Sequence, residues 1–481
     1  MKPSTSILLF ASLASAGCSN AEKEKSPPNI VFILADDLGY GDLSCYGQKK
    51  FSTPNIDRIG ARGMLFRQHY TGCTVSAPSR SCLMTGLHTG HTPIRGNKGW
   101  EPEGNWPLPA VSHTIPEMLK TKGYATGAFG KWGLGFIDTE GDPNAQGFDE
   151  FFGYNCQSLA HNYYPDHLWH NHEKILLPQN DSGKIGIYSA DIIHKAALEF
   201  MEKNREKPFF LFYPTTIPHA ELLAGEEYMN RFRGKFIPEK PYKGVDEGPD
   251  YRLGPYGSQQ EPYAAFAAMV SQLDDYVGEI ISKLSELGLD KNTIVIFASD
   301  NGPHREGGAD PDYFDSNGPL KGYKRDMYEG GIRTPLLVMW PGKIKPGSES
   351  GHVSAFWDFM PTLAEIAGIE SPGNIDGISF LPALLGKKRQ AKHEYLYWEF
   401  HEQGGKVAVR MDKWKAIKFD INKTPQGAVE LYDLSADEAE TTDLASQHPD
   451  IVKKMEAIMK EAHLPSEVFP FSYEIKSPLT R

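Results

Sequence analysis

Two pairs of neighbouring residues, Asp36-Asp37 and Asp300-Asn301, stand out in this sequence as a set of metal donors. They offer four oxygen-bearing side chains with no imidazole or thiolate beside them, which suits Ca²⁺, less well Mg²⁺, and not Zn²⁺. One Asp after a strand is usually a helix N-cap, so it is the repetition that points to a cation. Each pair closes a continuous apolar, β-branched run, residues 29–34 and 293–299, of the kind that forms buried parallel strands. Further strands are predicted at 208–213, which runs into Pro218-His219, and at 335–340, with a helical pattern over 263–287. Alternating strands and helices imply an α/β sandwich around a large, mostly parallel sheet, and ligands gather beyond the carboxyl ends of such strands. From residue 373 the texture changes. Residues 395–399, 406–410, 413–419 and 429–434 alternate like short antiparallel strands and 451–463 reads as a closing helix, giving a smaller α+β subdomain. Residues 231–260, rich in Gly, Pro and Tyr, read as a long surface loop bordering the site.

A third piece is Ser76-x-Pro78-x-Arg80. It resembles the maturation motif of the formylglycine-dependent, type I sulfatases in its serine form. Residues 29–39 resemble that family's first metal strand, 123–131 its second signature and 299–302 its second metal loop. Lys321-Gly-Tyr-Lys324, Tyr328-Glu-Gly-Gly331 and Glu430-Leu-Tyr-Asp-Leu434 resemble further family segments, so the likeness covers nearly the whole chain. It implies the alkaline-phosphatase/sulfatase-like fold and one Ca²⁺ held by Asp36, Asp37, Ser76, Asp300 and Asn301. It also implies that a radical-SAM sulfatase-maturing enzyme oxidises Ser76 to formylglycine; Cys73 lacks Pro and Arg at the required spacing. One hydroxyl of the hydrated aldehyde would attack the sulfur of a sulfate ester, and the covalent sulfo-enzyme would break down by elimination. By the same resemblance Arg80 and Lys131 hold the diol and sulfate, Lys324 contacts the sulfate and His219 protonates the leaving oxygen. The substrate class implied is a sulfated glycan, with galactose or N-acetylgalactosamine sulfate as the first expectation.

One departure bears on mechanism. The family commonly reads Gly-Lys-Trp-His, whereas Gly130-Lys131-Trp132 is followed here by Gly133. The histidine that assists elimination must then come from elsewhere, and His88, His91, His161 and His304 are the candidates. His304, three residues past Asn301, is expected near the metal. Residues 87–97 run on from the nucleophile and either bring Arg95 and Asn97 to the substrate or form a polar turn. The substrate-binding set is therefore His304, Arg95, Asn97 and His161.

Length and composition bound the rest. The 481 residues, 40% hydrophobic and with a formal net charge of −12, make a globular protein with one large and one smaller domain and exclude nonspecific nucleic-acid binding. Lys2, an apolar stretch over 7–13 and Ser15-Ala16-Gly17-Cys18 read as an export signal, too short to span a bilayer. Residues 1–17 are the signal peptide and 18–28 a tether; 29–372 form the catalytic domain and 373–481 the C-terminal subdomain. Ala16-Gly17-Cys18 resembles a lipobox, in which Cys18 is lipidated; the chain would then be an outer-membrane-anchored lipoprotein, touching membrane only through its lipid, and otherwise a soluble periplasmic protein. Cys45, Cys73, Cys82 and Cys156 do not fit a zinc site and are either buried thiols or disulfide partners. Two other functions remain open: a phosphatase or phosphodiesterase of the same fold, against which Asp300-Asn301 in place of Asp-His speaks, and an inactive glycan-binding lipoprotein.

Overall fold

The computed structural model describes residues 27–248, 251–252 and 254–475. The export segment, Cys18 and the tether up to residue 26 lie outside the described residues. Ten strands form the main sheet: β1 (Asn29–Ala35), β2 (Met64–Phe66), β3 (Ala125–Lys131), β4 (Glu150–Tyr154), β5 (His167–His170), β6 (Glu173–Leu176), β7 (Phe209–Pro214), β8 (Thr293–Ser299), β9 (Leu336–Met339) and β10 (Ser348–Ser350). Their order is β10-β2-β9-β8-β1-β7-β3-β4-β5-β6. The five central strands, β8 to β4, are parallel.

Every residue of β1 and β8 is buried because the sheet is covered on both faces. Alternate residues divide between two cores. Val31 and Ile33 face helices α2 (Ser189–Lys203) and α3 (Pro262–Glu286). Ile30 and Phe32 face α1 (Ser76–Thr85) and α4 (Phe359–Ala367). The strand expected at 335–340 forms, but β9 pairs with β8 antiparallel. An apolar run buried on both faces carries no mark of its direction. The loop expected over 231–260 begins as the end of a short helix, Glu226–Phe232, and is pinned where Tyr242 bridges Gln259.

A second, four-stranded antiparallel sheet holds β11 (Leu396–Phe400), β12 (Lys406–Met411), β13 (Trp414–Lys418) and β14 (Val429–Asp433), packed by α5 (Pro449–Glu461). It docks on the segment leading into α1, where the Trp398 indole N–H donates to the Thr71 carbonyl at 2.9 Å. Cys45, Cys73, Cys82 and Cys156 are free thiols, and burial pushes Cys156 up to about 11 and Cys73 to about 12. No helix among the described residues is long and apolar enough to cross a membrane.

Candidate active site

Four of the five central strands deliver a polar residue at their carboxyl ends. Because Ala35 pairs with Ser299, the chain leaves β1 and β8 side by side, and Asp36 and Asp300 follow as neighbours. The Asp300 N–H donates to the Ala35 carbonyl at 3.1 Å, and the Asp37 N–H donates to Asp300 Oδ1 at 3.1 Å. Asp37 takes a left-handed conformation, φ 64°, which Asp tolerates better than most residues. Lys131 ends β3, and His219 follows β7.

Helix α1 supplies the rest. Ser76 is its first residue, and Pro78 lies in the first turn, where a missing N–H costs no helical hydrogen bond. Ser76 and Arg80 are four apart and share a face. The Ser76 hydroxyl donates to Asp36 Oδ1 at 3.1 Å. Lys131 Nζ donates to Asp36 Oδ2 at 2.6 Å and stands 3.4 Å from Ser76 Oγ. The fully buried Arg80 donates twice to Asp300 Oδ2, at 3.1 and 2.9 Å, and once to the Lys131 carbonyl at 2.5 Å. Gly86, φ 71°, ends the helix in the left-handed conformation that a glycine adopts freely. Asn97 accepts from the Ala77 N–H at 3.1 Å, so it holds the helix N-terminus.

A second cationic arm closes the site. Lys324 Nζ lies 2.7 Å from Asp37 Oδ2, 3.1 Å from Glu306 Oε2 and 3.0 Å from His219 Nε2. The His219 Nδ1–H donates to the Ala220 carbonyl, so Nε2 is the nitrogen that faces the site. Its ring stacks between His161, at 4.8 Å, and His304, at 5.5 Å.

Electrostatics follow from burial first and neighbours second. Burial pulls Lys131 down while Asp36 holds it up, and burial together with Asp36 raises Asp300 against the pull of Arg80. Against the cost of burial, Asp37 and Glu306 raise Lys324, and Lys324, His304 and Arg325 keep Glu306 low. Burial, with Lys324 and Lys131 beside it, pushes His219 well below the ordinary imidazole range; burial takes His161 to about 4. Both imidazoles are neutral near pH 7 in the absence of an anionic ligand.

The donor set fits a hard cation. Asp36, Asp37 and the His219 imidazole offer ligand atoms within 4.8 Å of one another. Asn301 donates its amide N–H to Asp37 Oδ1 at 2.6 Å, which leaves its buried Oδ1 without a partner among the described residues. A buried, unpaired amide oxygen on the residue next to Asp300 suits a cation site.

A pocket of ≈ 180 Å³ opens over this centre, lined by Ser76, Asn97, Asn105, Gln157, His161, His219, Tyr256, Lys324 and Arg325, among others. A larger cavity of ≈ 360 Å³, beside Arg333, His393 and Arg410, contains none of the strand-end residues. Two residues expected to contact substrate do not line this pocket. Arg95 is buried away from the pocket, donating to the Thr92 carbonyl at 3.1 Å and the Leu464 carbonyl at 2.6 Å, with Glu399 at 3.4 Å; it ties the C-terminal subdomain to the catalytic one. His304 lies beside Asp37 and Glu306, as expected from its place after Asn301, but outside the pocket lining, with Nε2 donating to the Pro218 carbonyl and Nδ1 accepting the Glu306 N–H. His88 and His91 stack on each other beside Asp376, outside the pocket. His161 lines it, donating through Nδ1 to the Gly254 carbonyl at 2.9 Å, with no protein partner at Nε2 among the described residues. Sequence reasoning missed Asn105, Gln157, Tyr256, Glu306 and Arg325. Glu306 and Arg325 adjoin His304 and Lys324, and Tyr256 lies in the loop expected to border the site; Asn105 and Gln157 carry no local signal.

This fold, with a helix-borne serine facing paired strand-end carboxylates and two buried lysines, defines a hydrolase of anionic esters. The family model described as Sulfatase matches residues 28–369, and one described as N-sulphoglucosamine sulphohydrolase, C-terminal, matches 322–464. The chain is 32% identical over 413 residues to N-acetylgalactosamine-6-sulfatase of Canis lupus familiaris, covering 79% of this chain and 70% of that protein. It is 30% identical to N-acetylgalactosamine-6-O-sulfatase of Bacteroides thetaiotaomicron, covering 90% and 92%. Among solved structures, Ps i-CgsB in complex with k-i-k-neocarrahexaose superimposes with a TM-score of 0.74 at 29% identity, covering 91% and 92%. The chain belongs to the sulfatase family and is a sulfuric ester hydrolase. That membership displaces the phosphatase alternative.

Proposed function

We propose that this protein removes sulfate from sulfated glycans, with galactose or N-acetylgalactosamine sulfate as its substrate, after a radical-SAM enzyme has oxidised Ser76 to formylglycine. The observation that carries this reading is the placement of Ser76 Oγ, 3.1 Å from Asp36 and 3.4 Å from Lys131 at the start of a helix anchored by Arg80 on Asp300. The names of the relatives support the sugar class. The hydrated aldehyde supplies a nucleophilic oxygen and lets the bound sulfate leave again, which a plain hydroxyl does not. Ca²⁺, in preference to Mg²⁺, would be held by Asp36, Asp37, residue 76, Asp300 and Asn301, and would supply charge stabilisation to the attacking oxygen.

The protein's own groups then divide the work. Lys131 and Arg80 fix the residue-76 side chain. Lys324 receives the sulfate anion, and that anion offsets the ammonium charges that, with burial, depress His219, so the imidazole takes up a proton from solvent as substrate binds and passes it from Nε2 to the leaving alcohol. His161, neutral and free at Nε2, takes the proton in the elimination step in place of the side chain absent at Gly133. The export signal, and lipidation at Cys18, would put the enzyme in the periplasm or on the outer membrane, where glycans arrive; Cys18→Ala would then free it from membranes. Protein co-expressed with the maturase and offered position-defined sulfated monosaccharides should release sulfate from a galactose or N-acetylgalactosamine ester. Release only from other sugars would overturn the substrate assignment.

A further inference from the structure

The carboxamide of Gln157 is unexplained by the chemistry above. Gln157 follows β4, is 8% exposed and lines the same pocket as Ser76, Lys324 and His219. Its backbone is fixed, since its N–H donates to Asn105 Oδ1 at 2.8 Å. Yet its side-chain Nε2 is buried with no hydrogen-bond partner among the described residues. A buried donor that the protein leaves unpaired calls for a partner from outside it, a ligand or a water.

Gly133 makes room for this amide. A Cβ built at position 133 would stand 2.2 Å from Gln157 Nε2, and Gly133 has φ 78°, so a side chain there would push the amide aside and strain the backbone. The Gly133 N–H is held by the Asn155 carbonyl at 2.9 Å, which locks the two segments together. Gly133 is two residues beyond Lys131, whose ammonium lies 3.4 Å from Ser76 Oγ. The amide and the nucleophile thus line the same pocket.

We propose that Gln157 is a sulfate-contacting residue: its Nε2–H donates to an oxygen of the sulfate ester group, and Gly133 is small so that it can. This rests on the sulfatase reading and adds a recognition element to it. A neutral donor suits a place already flanked by cations, because it orients the anion without repelling Lys131 or Lys324.

The test uses matured, full-length enzyme with N-acetylgalactosamine 6-sulfate as substrate and inorganic sulfate as ligand, its binding followed by calorimetry. Gln157→Ala should weaken sulfate binding and lower kcat/KM by about 10- to 100-fold, the range for a hydrogen bond to a charged group. Gln157→Glu, which keeps the shape but brings an anion, should lose more. Gly133→Ala should reproduce the Gln157→Ala loss by expelling the amide, and should add little in the Gln157→Ala background. Wild-type sulfate affinity in Gln157→Ala, or losses that multiply in the double variant, would overturn the proposal. Sulfate binding needs no turnover, so a wild type that binds sulfate through Gln157 but hydrolyses no ester would count against the enzymatic reading alone.

Discussion

Replacing Arg80 by Ala separates the frame of the site from its chemistry. The guanidinium is 1% exposed and makes three hydrogen bonds, two to Asp300 and one to the Lys131 carbonyl. Truncation strands the Asp300 carboxylate, itself fully buried, without its nearest cation. Removing one partner of a buried pair costs ~3–5 kcal/mol of stability, most of it the penalty of the charge left behind. Asp300→Asn in the same background removes that charge, so the double variant should be more stable than the two single losses summed, with a coupling of about 2 kcal/mol. Equilibrium denaturation in the presence of a chelator, so that only the ion pair contributes, measures all four corners of the cycle. A loss below about 1 kcal/mol for Arg80→Ala, or strict additivity, would refute the view that Asp300 is held by Arg80.

Other consequences follow from the same physics. Burial pushes the Asp42 carboxyl from 3.8 to about 7, against hydrogen bonds from Ser316 and Gly39. The folded state thus binds that proton more tightly than the unfolded one, so the stability it contributes is complete below about pH 4 and is lost as pH rises through about 7, by at most ~4 kcal/mol. Asp42→Asn should flatten this slope, and an unchanged stability profile would count against it. His161→Ala should accumulate sulfated protein detectable by intact mass, since attack proceeds and elimination stalls; a variant that turns over without such a species would exclude His161 as the base. Ca²⁺ should raise the thermal midpoint of chelator-treated protein and Asn301→Ala should shrink that rise, because the free Oδ1 is removed; an equal rise in both would place the cation elsewhere.

The centre of the fold was readable because its chemistry sits at the ends of unmistakable strands. The runs before Asp36 and Asp300 are apolar on both faces, and Ser76 and Arg80 share a helix face by spacing alone. What escaped was set by long-range packing. The direction in which β9 pairs depends on the connection that precedes it, not on its own residues. Arg95 looked like a substrate contact because it follows the nucleophile helix, yet Glu399 and the Leu464 carbonyl, some 300 residues away in sequence or more, capture it. His304 appeared available from its place after Asn301, but two backbone groups occupy both of its nitrogens. The empty space at Gly133 was visible as a departure from a pattern; that a glutamine 24 positions further on takes that space was not, since only the β3–β4 pairing brings them together.

The claim on which the rest depends is that oxidised Ser76 is the nucleophile. Preparations differing in exposure to the maturase allow the fraction of residue 76 converted to formylglycine to be measured by peptide mass spectrometry and set against the rate of sulfate release from one substrate. The expected relation is a straight line through the origin, with Ser76→Ala at zero. Full activity in protein whose Ser76 is wholly unmodified would contradict it.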